Sequence, residues 1–357
     1  MIKYHLLHLN LKTMKKQNNL DNKSFLKKIF VKVCRIFGYE IIDQGNFYVP
    51  TQEKDLDQNL NIPGKKSITL PLGEIPVTRK VNALTIIFRS CTTVNMLTQN
   101  KKRLFEQKKS EYTFRSLNSI ILSLNYAKKN FPNINFNIII IDHNSEKKDL
   151  DQIENKLKKS SFKYSLIKLN IRDFENNIKK INEKNESVSK NQISNMSNIN
   201  KSLLIAKEQC SDLIYFVEDD YLHVHDSISE MISAYERISS ITQKELILCP
   251  ADYPYLYTKI EATNIFLGTN RHWRKIDETL CTFLTSKKII DKYWNKFISM
   301  CQFEHYPFEK PLHDIYKSEY CLSPIPSLAV HFTNINSIFG LSPTVDWKKI
   351  WEENKDF

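Results

Sequence analysis

Glycine is scarce in this chain: there are six in 357 residues, and no two lie closer than seven positions. Walker loops and dinucleotide fingerprints need clustered glycines, where backbone must approach phosphate closely or turn with positive φ. P-loop NTPases and ordinary NAD enzymes are thereby excluded. Arginine is scarce too. Lys and Arg exceed Asp and Glu by 52 − 40 = +12, yet only 9 of those 52 cations are Arg. Arg is the residue suited to bidentate phosphate and base contacts, so no nucleic-acid partner is expected. Long apolar runs are missing as well: Leu213 to Val217 and Ile138 to Ile141 are among the longest, far short of the roughly 20 residues a membrane-spanning helix needs. The seven cysteines are an odd number with no Cys-x-x-Cys pair, which indicates neither a disulfide framework nor a zinc ribbon. Met1 to Asn10 lacks a basic flank, apolar core and small-residue cleavage site, so a cytoplasmic location is expected.

What remains is an ordinary globular composition, 41% hydrophobic, long enough for a substantial core. Half of the net charge falls in the first fifty residues, with nine Lys or Arg against three acids. There Phe25, Leu26, Ile29, Phe30, Val33 and Phe37 recur at helical spacing among Lys27, Lys28, Lys32 and Arg35. This basic amphipathic helix suits either peripheral contact with the anionic inner face of the cell membrane or docking on the main domain. Pro50, Pro63, Gly64, Pro71, Gly73 and Pro76 mark 43–80 as a linker with one short hairpin. Residues 1–80 are thus an N-terminal helix and linker.

From Val81 the pattern alternates strand and helix. Strands are expected at Leu84 to Phe88, Asn137 to Asp142, Tyr164 to Leu169, Leu213 to Val217 and Glu245 to Cys249. Between them, helices carry apolar faces such as Phe114, Leu117, Ile120 and Leu124, or Leu150, Ile153 and Leu157. Ser145 is read as a helix cap, and Ser227 with Glu230 as a capping box. The rhythm is that of an α/β fold with a mostly parallel, Rossmann-like sheet. Residues 173–201, rich in Asn, Lys, Ser and Glu, exceed ordinary connections and read as a mobile flap or an unstructured insertion. After 258 the chain is rich in aromatics and His, with one clear helix at Ser286 to Phe297.

Two strand ends carry the chemistry. Asp212 to Tyr221 is an apolar strand running straight into Glu218, Asp219 and Asp220. Open α/β sheets bind ligands at the carboxyl ends of their strands. Adjacent acids repel, and a divalent cation both neutralises them and takes their oxygens. A solvated turn opening the next helix is the plainer alternative. Ile138 to Ile141 ends likewise in Asp142, His143, Asn144 and Ser145, where a carboxylate could meet a base or ribose, or simply cap the next helix. His223 and His225 follow the acids at His-x-His spacing, and Arg271, Trp273 and Arg274 offer two guanidiniums and an aromatic platform suited to a phosphate or a sugar face.

Taken together, the opening strand Leu84 to Thr92, the IIIIDHNS strand end, Asn198 to Ala206 leading into DLIYFVEDDY, and PSLAVHF near the end resemble the glycosyltransferases of the GT-A fold, in particular the family-2-like group. The resemblance covers roughly 81–335. It implies a nucleotide-sugar-binding half over 81–257 and an acceptor-binding half with a C-terminal segment over 258–357. It also implies a metal-dependent transfer of sugar from a nucleotide-diphosphate donor to a saccharide, lipid-linked or protein acceptor, in surface polysaccharide or glycan assembly. Carried over, Asp142 contacts the base, and Arg89, Asp219, Arg271 and Arg274 belong to the donor site. Glu218 and Asp220 flank the D-x-D position, and with His331 of PSLAVHF they would hold Mn²⁺ or Mg²⁺. Trp273 and Asp252 fall on the acceptor side. Asp314, in PLHDIY, is the counterpart of the base, ahead of Asp252 and Glu278. The family's Gly-Gly near the acceptor has no match beyond Gly268, and its Glu-Asp pair becomes His313-Asp314. Two rivals are a non-catalytic glycan-binding or scaffold protein on the same fold and a sugar nucleotidyltransferase. The latter generally uses a Gly-rich loop after the first strand, which FRSCTTVNM lacks.

Overall fold

A computed structural model describes residues 25–39, 63–64, 67–70, 73–93, 104–258, 262–333 and 335–355. Met1 to Asn10 and most of the linker lie outside the described residues. The chain forms two compact units, one of residues 1–52 with 70–73 and one of 53–69 with 74–357. In the first, α1 (Phe25–Ile36) carries Arg35 in its last turn and exposes Ile29, Phe30, Val33 and Ile36. The expected hairpin is present as β1 (Ser67–Leu70) paired with β2 (Gly73–Pro76). No helix among the described residues is long and apolar enough to cross a membrane.

The second unit is built on a nine-stranded sheet. Its strands are β3 (Ala83–Ser90), β4 (Asn135–Asp142), β5 (Lys163–Lys168), β6 (Leu213–Glu218), β8 (Leu246–Leu248), β9 (Ile265–Leu267), β10 (His272–Lys275), β11 (Phe283–Ser286) and β12 (Tyr320–Ile325). They lie in the order β5-β4-β3-β6-β11-β8-β12-β10-β9. The block β5-β4-β3-β6 is parallel, in register along its length, with Phe88 opposite Ile140 and Val217. Strands buried on both faces must be continuously apolar, which explains Ile138 to Ile141 and Leu213 to Val217, all within 4% of full burial. β11 runs antiparallel between β6 and β8, while β12 is parallel to β8. Strands from beyond residue 258 therefore complete the same sheet as those before it, so the segments expected as separate halves on either side of 258 share one core.

The helices are α2 (Lys109–Asn130), α3 (Lys147–Lys159), α4 (Lys190–Gln209), α5 (Ser227–Thr242), α6 (Lys287–Lys292), α7 (Trp294–Gln302), α8 (Lys310–Tyr316) and α9 (Trp347–Glu353). The segment expected as a single helix over Ser286 to Phe297 breaks at Tyr293, whose φ of −111° is not helical. The expected caps also differ. Ser145 is spent on Asp142, α3 starting from Glu146 with no side-chain cap. Glu230 turns away from its own helix to accept N–H bonds from Thr269 and Asn270 and from the Trp273 indole. Residues 171–189 are neither flap nor unstructured: two 3₁₀ turns and an Ile181–Ser187 bridge fold against 302–306, with Lys179 N–H on Gln302 O and Glu183 N–H on Glu304 O. Ile178, Val188 and Met196 give this layer its own small core.

Beside the main sheet, β7 (Tyr221–His223) pairs antiparallel with β13 (Ala329–His331). That two-stranded ribbon fixes the geometry of the site.

Candidate active site

A cavity of about 630 Å³ opens at the carboxyl ends of β3, β4 and β6, where the topology of an open α/β sheet places ligands. Arg89, Glu218, Asp219, Asp220 and His331 all line it. Asp142, Arg271, Trp273, Arg274, Asp252 and Asp314 do not.

Each of the three adjacent acids has a different nearest cationic partner, though Lys109 also comes within 4.0 Å of Asp220. Glu218, the last residue of β6, pairs with Arg89 of β3, Oε1 to the guanidinium at 3.0 Å, and accepts the Thr282 hydroxyl on Oε2 at 3.2 Å. Asp219 takes Lys109 Nζ at 2.5 Å on Oδ1, and the Cys91 N–H and Thr113 hydroxyl at 3.0 and 2.8 Å on Oδ2. Its carboxylate thus ties the end of β3 to the first turn of α2. Asp220 faces His331, Oδ1 to Nε2 at 3.6 Å. The pairing of Tyr221 with His331 across β7 and β13 sets that approach, reinforced by the bond from Phe332 N–H to Asp220 O and by the stacked Tyr221 and His331 rings, 4.6 Å apart. Burial alone would lower the His331 pKa, but the charges of Asp220 and Glu218 raise it overall.

The structure splits the expected metal set. Among the described residues no group of three His, Cys, Asp or Glu side chains is placed to hold a metal. Glu218 is committed to Arg89 and Thr282, so the acid and imidazole that converge are Asp220 and His331. Hard divalent cations bind through one or two protein groups plus substrate phosphates and water, and imidazole is a good ligand for the softer of them. The pair fits such an ion; the triad does not.

His223 is a core residue. Its Nε2 meets the Tyr215 hydroxyl at 2.5 Å, and burial pulls its pKa down to about 3. His225 packs against Tyr126, ring centroids 4.6 Å apart and tilted by 59°.

Asp142 is 3% exposed and saturated locally by the hydroxyls of Ser90 and Ser145 and the Ser145 N–H. It shapes the turn in which Asn144 takes a left-handed φ of 63°, a conformation Asn tolerates. The neighbouring His143 lines the cavity instead, its Nδ1 2.7 Å from the Ser194 hydroxyl, with burial lowering its pKa despite Asp142. From α4, Asn191, Asn195 and Asn198 face the same space. Asn195 accepts from Arg89, and Asn198 Oδ1 is buried with no partner.

The expected acceptor and base residues lie elsewhere. Trp273 is 0% exposed, with its indole N–H on Glu230, so it offers no platform to a sugar. Arg274 is paired with buried Asp252, which also accepts from the Tyr257 hydroxyl, and Arg271 with Asp226. Asp314 sits on α8 with its side chain 39% exposed, bound to Lys317 at 2.5 Å, which lowers its pKa. Glu278 also lies off the cavity.

The carboxyl that does face the cavity is Glu309, just before α8. Burial and then the nearby Glu218 charge push its pKa up to about 7, against the pull of Arg89 and His331. It went unread because its surroundings, EHYPFEKP, match no motif; a carboxylate bounded by Pro307 and Pro311 was the available signal. Lys109, Asn191 and Asn195 were equally unmarked.

No family model matches the chain, and no curated protein matches its sequence. Solved structures do. The chain is similar to S. aureus TarS 1-349, with 11% identity over 59% of this chain and 48% of that one at a TM-score of 0.32. It thus spans about half the length of that protein. It is similar to the galactosyltransferase LgtC in complex with donor and acceptor sugar analogs, with 10% identity, 76% and 95% coverage and a TM-score of 0.36. It is also similar to a UDP-glucose pyrophosphorylase complexed with UDP-glucose, with 9% identity, 77% and 97% coverage and a TM-score of 0.37. Likenesses this slight decide nothing about activity. What the chain itself shows is an α/β fold: a large sheet ordered β5-β4-β3-β6-β11-β8-β12-β10-β9, flanked by helices, with acids at and directly after the end of β6.

Proposed function

We propose that the protein is a glycosyltransferase that moves a sugar from a nucleotide-diphosphate donor to a saccharide, lipid-linked or protein acceptor, in surface polysaccharide or glycan assembly. The observation that carries this reading is the Asp220–His331 pair, 3.6 Å apart at the carboxyl end of β6, in one cavity with the half-buried Glu309.

Arg89 and Lys109 are the Lys and Arg residues lining the cavity, and both are engaged by Glu218 and Asp219. A donor diphosphate therefore needs further positive charge. Asp220 and His331 would hold Mn²⁺ or Mg²⁺ to supply it, and such an ion stabilises the charge developing on a departing diphosphate. The neutral wall of His143, Asn191, Asn195 and Asn198 offers hydrogen bonds to the base, ribose or sugar. Glu309, with its pKa near neutrality, accepts the proton of the acceptor hydroxyl as the new glycosidic bond forms and the bond to the diphosphate breaks. In this role it replaces Asp314.

The exposed apolar side chains of α1, set among Lys32 and Arg35, suit peripheral contact with an anionic membrane face. Deletion of residues 1–45 tests this: unchanged partitioning onto anionic vesicles rules it out.

The donor reading is tested by melting the full-length protein with UDP, GDP, CDP and their sugar conjugates, each with and without Mn²⁺. A rise with one nucleotide that needs the metal supports it. No shift with any nucleotide favours a glycan-binding or scaffold protein on this fold.

A further inference from the structure

The cavity has two chemically different walls. One, from β3, β4, β6 and α4, has just been assigned to the donor. The other consists of Leu280 and residues 304–309. It presents two carboxylates, Glu304 and Glu309, the aromatic rings of Tyr306 and Phe308, and His305. Tyr306 is 66% exposed at the rim. Burial lowers the His305 pKa, and its Nε2 is buried without a hydrogen-bond partner.

This wall is held rather than loose. The Glu183 carboxylate accepts the Tyr306 N–H at 2.8 Å and Lys310 Nζ at 2.5 Å, and the Glu183 N–H donates to Glu304 O at 3.1 Å. The insertion over 171–189 thus acts as its backing. No Lys or Arg on this side lines the cavity. Cations around it are engaged: Lys310 binds Glu183, Lys184 lies over one face of Tyr306, 3.2 Å from its centroid, and Arg89, whose charge reaches Glu309 from the opposite wall, pairs with Glu218.

The geometry points to residues 304–309 as an acceptor subsite for a saccharide whose reacting unit is neutral or carries an amine, and which excludes a unit bearing phosphate or carboxylate. The inference rests on the glycosyltransferase reading. An anionic unit placed here would meet Glu304 and Glu309 on a wall that lines the cavity with no Lys or Arg, and like charges in a partly desolvated cavity repel strongly. A neutral sugar ring instead finds an aromatic surface for its apolar C–H face and polar groups for its hydroxyls. An amine gains from both carboxylates.

Saturation-transfer NMR on the full-length protein tests this with four probes: maltotetraose, a glucosamine tetramer, tetragalacturonate and a glycerol-phosphate oligomer, each with and without UDP and Mn²⁺. The first two are expected to bind and the last two not. Tyr306→Ala, at an exposed position that spares the fold, is expected to weaken binding about tenfold, the effect of losing one aromatic contact. Glu304→Lys is expected to admit tetragalacturonate. Equal binding of the anionic probes by the unaltered protein overturns the inference, as does binding unaffected by Tyr306→Ala, or no binding by any probe. The nucleotide melting experiment is independent: if it fails while Tyr306-dependent binding of neutral probes holds, the donor reading falls and the saccharide subsite stands.

Discussion

His331 Nδ1 lies 2.9 Å from the carbonyl oxygen of Phe339. A carbonyl only accepts, so Nδ1 carries the proton that it donates, and the imidazole turns Nε2 toward Asp220. Metal-binding histidines are commonly oriented in this manner by a partner on the other ring nitrogen. The expected outcome is that Asp220→Ala and His331→Ala each abolish the Mn²⁺-dependent part of a donor-induced melting shift. In the unaltered protein that shift corresponds to about 2.7 kcal/mol at a hundredfold excess over Kd. A metal-dependent shift of full size in either variant removes the ion from this pair.

Asp219 behaves differently from its neighbours. Removing it takes from Lys109, whose side chain is 10% exposed, the nearer of its two carboxylates, Asp220 being 4.0 Å away, and deletes the bonds from the Cys91 N–H and the Thr113 hydroxyl. Breaking a buried pair from one side costs about 3 kcal/mol, so Asp219→Ala should lower the midpoint of urea unfolding markedly. Asp220→Ala, by contrast, should leave it nearly unchanged. Similar midpoints for the two variants would show that Asp219 is no structural tie.

For Glu309 the sign of the pH effect follows from a pKa raised from 4.5 to about 7. Between those values the folded protein holds a proton that the unfolded chain has lost, so stability falls as pH rises across that window. Turnover runs the other way, since a base must be ionised, and kcat should climb through pH 7. Glu309→Gln should flatten both profiles and lower kcat by about 10²- to 10⁴-fold, while Asp314→Asn leaves turnover unchanged. The pH–rate profile of the two variants checks this; a surviving rise in Glu309→Gln assigns the base elsewhere.

The donor side was legible because its signals are local. A strand buried on both faces must be continuously apolar, and its end is marked by the first polar residues, so Ile138 to Asp142 and Leu213 to Asp220 declare themselves. What sequence could not show is which way those end residues turn. Asp142 and Asp219 look like ligand groups until Ser90 and Cys91 from the end of β3, Lys109 of α2 and the nearby Ser145 are found on their oxygens. The later half was less readable for the same reason. β9, β11 and β13 are three or four residues long, too short for a periodicity to register, and they owe their existence to long-range pairing. Trp273, Arg274 and Asp252 were read as a ligand platform because aromatic and charged side chains look alike whether they serve a ligand or one another.

Gly268 shows how such a non-local constraint is tested. A Cβ there would collide with Glu230 Oε1 and lie 2.6 Å from Trp273 Nε1 and 2.8 Å from the Arg271 carbonyl oxygen. The Glu230 carboxylate cannot step aside without giving up the Thr269 and Asn270 N–H groups and the buried indole. Gly268→Ala should therefore destabilise the protein by about 1–3 kcal/mol through overpacking, read as a fall in the urea midpoint with an unchanged m-value. Because this cluster lies off the cavity, the affinity for the donor measured at a temperature where the variant is folded should stay at its original value. A variant as stable as the parent would show that the Glu230 cradle has room that this packing denies it.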